Sequence, residues 1–243
     1  MLDVVDLHTH TIASGHAYNT IYEMVKSAKD KGAELIGISD HGPAMEGSAS
    51  KHYFRSSGCV PRELFGIHVL FGCELNIMDY DGGVDLDDVF SKPLDYGIAS
   101  LHDVCITPGS KKENTRAYCR SMENPVVWII GHPDDGTFPT DFEALVRAAA
   151  ENHVLIELNE ASVKPNSYRK NGRENAKEVL SLCERFGVKI AVSSDAHIET
   201  NVLGHKSALT LLNEVHFPEE LVVNLSAEKA LAALAERKAF LGR

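Results

Sequence analysis

A chain of 243 residues, 44% hydrophobic and 24% charged, has the composition of an ordinary globular protein and a length close to that of one α/β barrel, about 250 residues. Its formal charge of -11 disfavours a nucleic-acid backbone as partner, although bound divalent cations would reverse the field inside a site and admit a small anion. No apolar run approaches the roughly 18 residues that span a bilayer, and no basic segment precedes an apolar one at the start, so a cytoplasmic protein without a membrane partner is expected.

Short apolar, β-branched segments recur along the chain at Val4 to Leu7, Leu35 to Ser39, Val69 to Gly72, Tyr96 to Ser100, Val126 to Ile130, Val154 to Leu158 and Lys189 to Ser193. Helical patterns fall between several of them, at Ile21 to Lys31, at Asp141 to Asn152 behind Thr140 as N-cap, and at Glu174 to Phe186. Apolar strands alternating with helices imply a parallel sheet buried on both faces. The tail has helical periodicity at Thr200 to Glu214 and Ala227 to Lys238 without an eighth strand, so a distorted (β/α)7 barrel is expected. No linker-like or repeated stretch divides the chain, which reads as one domain over residues 1–243.

The 12 histidines are the unusual feature of the composition. His8 and His10 follow the first strand, His41 the second, Glu74 the third, His102 the fourth, His132 the fifth, and Asp195 with His197 the seventh. In a parallel barrel all strand C-termini open on one face, so these distant segments deliver their side chains to one mouth. One strand-end histidine is more often a hydrogen-bonded core or surface residue than a ligand. Their recurrence at six of seven strand ends favours the metal reading. The i, i+2 spacing of His8 and His10, repeated by Asp195 and His197, puts each pair on one strand face, where both members can hold one ion. Imidazole with carboxylate suits zinc, manganese or iron. Cys59, Cys73, Cys105, Cys119 and Cys183 are scattered without CxxC spacing, which argues against a disulfide framework and a thiolate site.

The other histidines read differently. His52 and His68 stand at no strand end, His153 precedes the sixth strand and belongs to the opposite face, and His216 reads as surface. His205 is a candidate for contact with a ligand rather than metal. His16 lies in the Ser14-Gly15-His16 loop, where glycine would let the chain fold over the mouth, and position alone leaves its role open. Glu157 and Asn159 share a face of strand six, with packing or hydrogen bonding to a ligand as their roles. The loop after that strand carries Lys164, Arg169, Lys170 and Arg173, of which Lys164 and Arg173 are singled out as candidates to bind a substrate phosphate, against the blander reading of a solvated basic face.

The ordered set Asp6-Leu7-His8-Thr9-His10, Ser39-Asp40-His41, Glu74, His102, Gly131-His132-Pro133 and Ser194-Asp195-Ala196-His197 resembles the PHP (polymerase and histidinol phosphatase) superfamily across almost the whole chain. Ser14-Gly15-His16-Ala17-Tyr18, Asp40-His41-Gly42-Pro43 and the compact length look like its YcdX branch of probable phosphatases. The resemblance implies three divalent ions, zinc first and manganese or iron as alternatives. One ion would take His8, His10, Glu74 and Asp195; a second Glu74, His102 and His132; a third His16, His41 and His197. It implies hydrolysis of phosphate monoesters by activated water, with Asp195 and Glu74 as the catalytic carboxylates, a small phosphorylated substrate as partner, and a homotrimer.

Competing readings are a histidinol-phosphate phosphatase, a polymerase-associated exonuclease, an amide-cleaving metallohydrolase and a metal-binding module without turnover. The acidic charge and lack of polymerase segments disfavour the exonuclease. No strand-end lysine supports the amidase. A purely structural site would close each ion with four protein ligands, whereas nine ligands shared among three ions leave positions for water and substrate.

Overall fold

The computed structural model describes residues 3–242. Its strands are β1 (Val5–Thr9), β2 (Leu35–Ile38), β3 (Glu63–Leu64), β4 (Ile67–Asn76), β5 (Tyr96–Ser100), β6 (Val127–Ile130), β7 (Leu155–Asn159) and β8 (Ile190–Ser193). Seven run parallel in the order β1-β2-β4-β5-β6-β7-β8, and the two-residue β3 pairs antiparallel with β4. The helices are α1 (Ile21–Asp30), α2 (Lys51–Arg55), α3 (Asp88–Ser91), α4 (Lys111–Ser121), α5 (Phe142–Asn152), α6 (Glu160–Val163), α7 (Gly172–Phe186), α8 (Lys206–Glu214) and α9 (Ala227–Phe240).

All residues of β1, β2, β5, β6, β7 and β8 are buried, as a sheet covered on both faces requires. Leu145, Val146 and Ala149 of α5 and Val179, Leu180 and Cys183 of α7 pack in one apolar cluster with Val127, Ile130, Ile156 and Ile190 of the sheet. A second cluster joins Val5, Leu7, Leu35, Tyr96, Trp128 and Leu155 to Ala230, Ala233 and Leu234 of α9.

The sheet curls into a nearly closed barrel, and its seam lies between β1 and β8. Asn224, in a short 3-10 turn before α9, fills that gap. Its Nδ2 donates to the carbonyls of Val5 (2.6 Å) and Val192 (2.7 Å), and its Oδ1 accepts from the Val192 N–H (2.7 Å). One side chain thus satisfies backbone groups on both edge strands that an eighth parallel strand would otherwise pair. At the other end of the strands, His10 N–H donates to the Ala196 carbonyl at 2.8 Å.

Several expectations shift. The third strand is longer than Val69 to Gly72 and includes Glu74, and β1 includes His8, so both residues lie within strands rather than after them. Helix α5 is capped by Asp141, which accepts from Ala144 N–H at 3.2 Å, whereas the Thr140 hydroxyl donates to the Phe138 carbonyl. Residues 200–214 split into a 3-10 turn and α8. Helix α4 has no counterpart in the periodicity: the residues it buries are Asn114, Thr115, Ala117, Tyr118 and Ser121, mostly small or polar, so no apolar stripe marks it. A capping box between Ser110 and Glu113 opens it instead.

Candidate metal centre

At the C-terminal ends of the parallel strands, imidazoles and carboxylates converge. His8 Nε2 lies 3.3 Å from Glu74 Oε2 and 3.7 Å from Asp195 Oδ1, and His10 Nε2 lies 3.6 Å and 3.2 Å from the same two oxygens. Two donors bound to one ion at about 2.1 Å stand about 3.0 to 3.6 Å apart for ordinary bond angles. All four side chains are buried. The other Glu74 oxygen, Oε1, stands 3.2 Å from His102 Nε2 and 3.0 Å from His132 Nε2. Glu74 therefore presents one oxygen to each of two donor groups, as a bridging carboxylate does.

The third group is looser. His16 and His197 face each other with Nε2 atoms 3.0 Å apart, and the His41 ring lies 4.9 Å from that of His16 and 5.7 Å from that of His197. His41 also reaches the first group, its Nδ1 2.7 Å from Glu74 Oε2. Gly15, at φ 82° and ending a 3-10 turn over Ile12–Ser14, lets the first loop bring His16 over the mouth, and a Cβ there would strike the Gly47 carbonyl oxygen at 2.4 Å.

Hydrogen bonds fix which ring nitrogen faces inward. His8 Nδ1–H donates to Glu157 Oε1 (2.7 Å), His10 Nδ1–H to Ser14 Oγ (3.0 Å), His102 Nδ1–H to Asn76 Oδ1 (2.7 Å) and His197 Nδ1–H to the Asp195 carbonyl (2.9 Å). In each ring the Nε2 lone pair is left for the centre. These supports are themselves held. Ser14 Oγ donates to Asp40 Oδ1 at 2.7 Å, and Asp40 also accepts from Thr11 N–H (2.6 Å) and Tyr53 Oη (2.7 Å). Glu157 Oε2 accepts from the His132 N–H at 2.7 Å and from Asn159 Nδ2 at 3.1 Å.

The carboxylates are held charged and two of the imidazoles neutral, whereas Glu157, Glu74 and Asp195 outweigh burial at His8 and raise it well above the usual imidazole range, so an ion bound there would displace a proton. Burial alone would raise the Glu74 carboxyl, but His8, His41 and His102 hold it well below the usual carboxylate range. Asp195 is held low in the same way, against burial, by His8, His10 and Arg169. Burial pushes His102 down to about 4, and burial with His41 and His197 holds His10 low as well, which keeps both rings neutral and able to bind metal. Meanwhile His8 Nε2, His10 Nε2, His41 Nδ1 and Glu74 Oε2 are buried without a well-angled hydrogen bond to one another. Such a set of orphaned acceptors fits a shared divalent cation. His132 and Asp195 also adopt left-handed backbone, φ 29° and 56°, a strain of about 1 to 3 kcal/mol each that clusters at functional sites.

The structure brings together all nine side chains that the sequence placed at the mouth or that the resemblance added. Of the basic residues in the loop after β7, it brings in Arg169, which the sequence noted but did not single out. The Arg169 guanidinium is buried, with Nη2 2.9 Å from Asp195 Oδ2 and Nη1 3.2 Å from Ser162 Oγ. Lys164 is exposed at the end of α6, and Arg173 pairs with Glu214 of α8 at 2.6 Å. Nothing in the sequence distinguishes Arg169 from its neighbours, because its burial depends on loop geometry. His205 is buried but stands apart from the imidazole cluster, its Nδ1 bonded to Asp3 and its Nε2 3.5 Å from Asp6 Oδ2. His153 caps α5 at the opposite end of β7, and the His52 ring packs on Phe90.

A family model described as "PHP domain" matches residues 6–163, a span that stops before β8 and so before Asp195 and His197. The chain is 48% identical to a protein named probable phosphatase from Caldicellulosiruptor saccharolyticus, with 95% of each chain covered. It is 46% identical to another of that name from Acetivibrio thermocellus, covering 93% of this chain and 92% of that one. Among solved structures it is similar in fold to the histidinol phosphate phosphatase of Lactococcus lactis, described as complexed with zinc, L-histidinol and phosphate, with a TM-score of 0.64 at 17% identity over 90% of this chain and 95% of that one. With a family model matching well over half its length and relatives of such identity aligned nearly end to end, this chain belongs to the PHP domain family.

Proposed function

We propose that this chain is a single metallo-phosphoesterase domain that hydrolyses phosphate monoesters at a centre of three divalent ions. The observation that carries the reading is the donor geometry: four buried donor atoms at 3.2 to 3.7 Å, with Glu74 offering its second oxygen to His102 and His132. In this reading His8, His10, Glu74 and Asp195 hold one ion, Glu74, His102 and His132 a second, and His16, His41 and His197 a third. Zinc suits the donor set, as do manganese and iron. The names of the curated relatives support phosphatase activity.

When bound, divalent ions supply charge to the phosphoryl oxygens and lower the pKa of water to near neutrality. The chain's own residues do the rest. Water adds to phosphorus, the bond from phosphorus to the alcohol oxygen breaks, and the proton that water gives up ends on the departing alcohol. Asp195 has Oδ2 occupied by Arg169 (2.9 Å) and Asn159 (3.2 Å) and is held strongly acidic, so we assign it charge and orientation rather than proton abstraction. Arg169, the buried cation of this region, takes the phosphate-gripping role that the sequence gave to Lys164 and Arg173.

Metal content measured alongside phosphate release from an ester panel that includes histidinol phosphate tests the reading. Near three ions per chain with turnover in the wild type, and both reduced in Glu74→Gln and His132→Ala, is the expected result. Bound metal without release from any ester would leave a metal-binding module instead.

A further inference from the structure

The bowl of imidazoles and carboxylates has an apolar rim. Tyr18, Val104 and Tyr168 are 75%, 72% and 75% exposed, unusual for side chains of this kind. They sit on three loops that leave the metal-facing strand ends. Tyr18 follows His16 by two residues, and its N–H is tied to the His197 carbonyl at 3.0 Å. Val104 sits in the turn after His102, whose carbonyl accepts from the N–H groups of Cys105 and Ile106. Tyr168 precedes Arg169, whose guanidinium lies over its ring at 5.3 Å while donating to Asp195.

Tyr168 is the best held of the three. Its loop is fastened on both sides, by Ser167 Oγ donating to the Ala161 carbonyl (2.7 Å) and accepting from Arg169 N–H (3.1 Å). A ring with this much open surface, stacked on a cation that is itself anchored at the centre, is a ready platform for a second planar group.

We propose that Tyr168 is a specificity-determining residue, and that with Tyr18 and Val104 it receives the organic part of a phosphomonoester whose alcohol carries an aromatic ring. This rests on the phosphatase reading above. The charged bowl recognises phosphate alone and offers nothing to an apolar leaving group; the rim supplies that surface next to it.

The experiment compares kcat/KM for benzyl phosphate and ethyl phosphate, whose leaving alcohols are of similar acidity, on metal-loaded wild type, Tyr168→Ala and Tyr168→Phe. The expected outcome is a preference for the benzyl ester of about five- to tenfold in the wild type, in line with the strength of one aromatic contact. Tyr168→Ala should erase most of that ratio through KM for the benzyl ester, and Tyr168→Phe should keep it. A wild-type ratio near one, or a ratio that survives Tyr168→Ala, overturns the proposal while leaving the phosphatase reading intact. No phosphate from either ester, nor from the wider panel, would instead remove the phosphatase reading and this inference with it.

Discussion

Glu157 Oε1 accepts the Nδ1–H of His8 at 2.7 Å, across the barrel from β7 to β1. That bond keeps the imidazole in the tautomer whose Nε2 faces Glu74 and Asp195, and the second Glu157 oxygen holds the backbone of His132. Glu157→Ala should lower metal affinity about 10- to 100-fold, since removing the outer partner of a ligating histidine loosens both its tautomer and its orientation. Competition with a chromophoric chelator measures this directly; unchanged affinity would mean that the carboxylate serves packing alone.

Removing the Arg169 charge takes from buried Asp195 the guanidinium that bonds its Oδ2. Arg169→Met should cost about 3 kcal/mol in urea unfolding of metal-free protein, because breaking one half of a buried pair strands the other. Arg173→Met, which breaks a partly exposed pair with Glu214, should change stability by less than about 1 kcal/mol. Equal losses from the two would contradict the contrast drawn between them.

The barrel seam makes a separate prediction. Asn224→Ala removes a donor and an acceptor that serve Val5 and Val192, leaving buried backbone groups unpaired. The expected cost is about 3 kcal/mol or more. Asn224→Asp should be no better, since it retains the acceptor for Val192 N–H but presents oxygen to two carbonyls. A loss below about 1 kcal/mol in chemical denaturation would show that the seam is held by other contacts.

His205 gives stability a pH signature. Burial opposes its charge, yet Asp6 and Asp3 outweigh burial and raise its pKa to about 10. A histidine raised in the folded state adds stability that is fully present below its unfolded pKa of about 6.5 and is lost as pH rises toward 10. Wild-type protein should therefore become less stable between about pH 6.5 and 10, and His205→Gln should be weaker at pH 6 and flatter across that window. Thermal melts over this range decide the matter; parallel curves for the two proteins would assign the slope to other groups.

The sequence carried the outline of the candidate centre because the proposed ligands sit at or next to strand ends, where the parallel topology fixes their destination. The β-branched segments located the strands to within a few residues, and the i, i+2 pair His8 and His10 converges on the same oxygens as expected. The bonds that orient those ligands were less legible. Ser14, Asp40 and Asn76 act through contacts between separate loops and strands, and their residue types are common at turns and caps. Arg169 resembled three other cations in one loop until its side chain was seen to turn inward. Asn224 was hidden for another reason: its side-chain amide and the few backbone pairings of the 222–224 segment stand in for a strand too short to show any periodicity.

Closing the barrel with a side chain from residue 224 ties the first strand to a segment more than two hundred positions away in the chain. The donors on β1 and those just past β8 come from segments nearly two hundred positions apart, and this latch is later still. A chain truncated before it would keep every candidate ligand yet lose the Asn224 bonds that join β1 to β8. In the proposed reading metal binding therefore depends on the segment that carries this latch, and a truncation ending at residue 221 should bind the ions far more weakly than the 243 residues together in the same chelator competition.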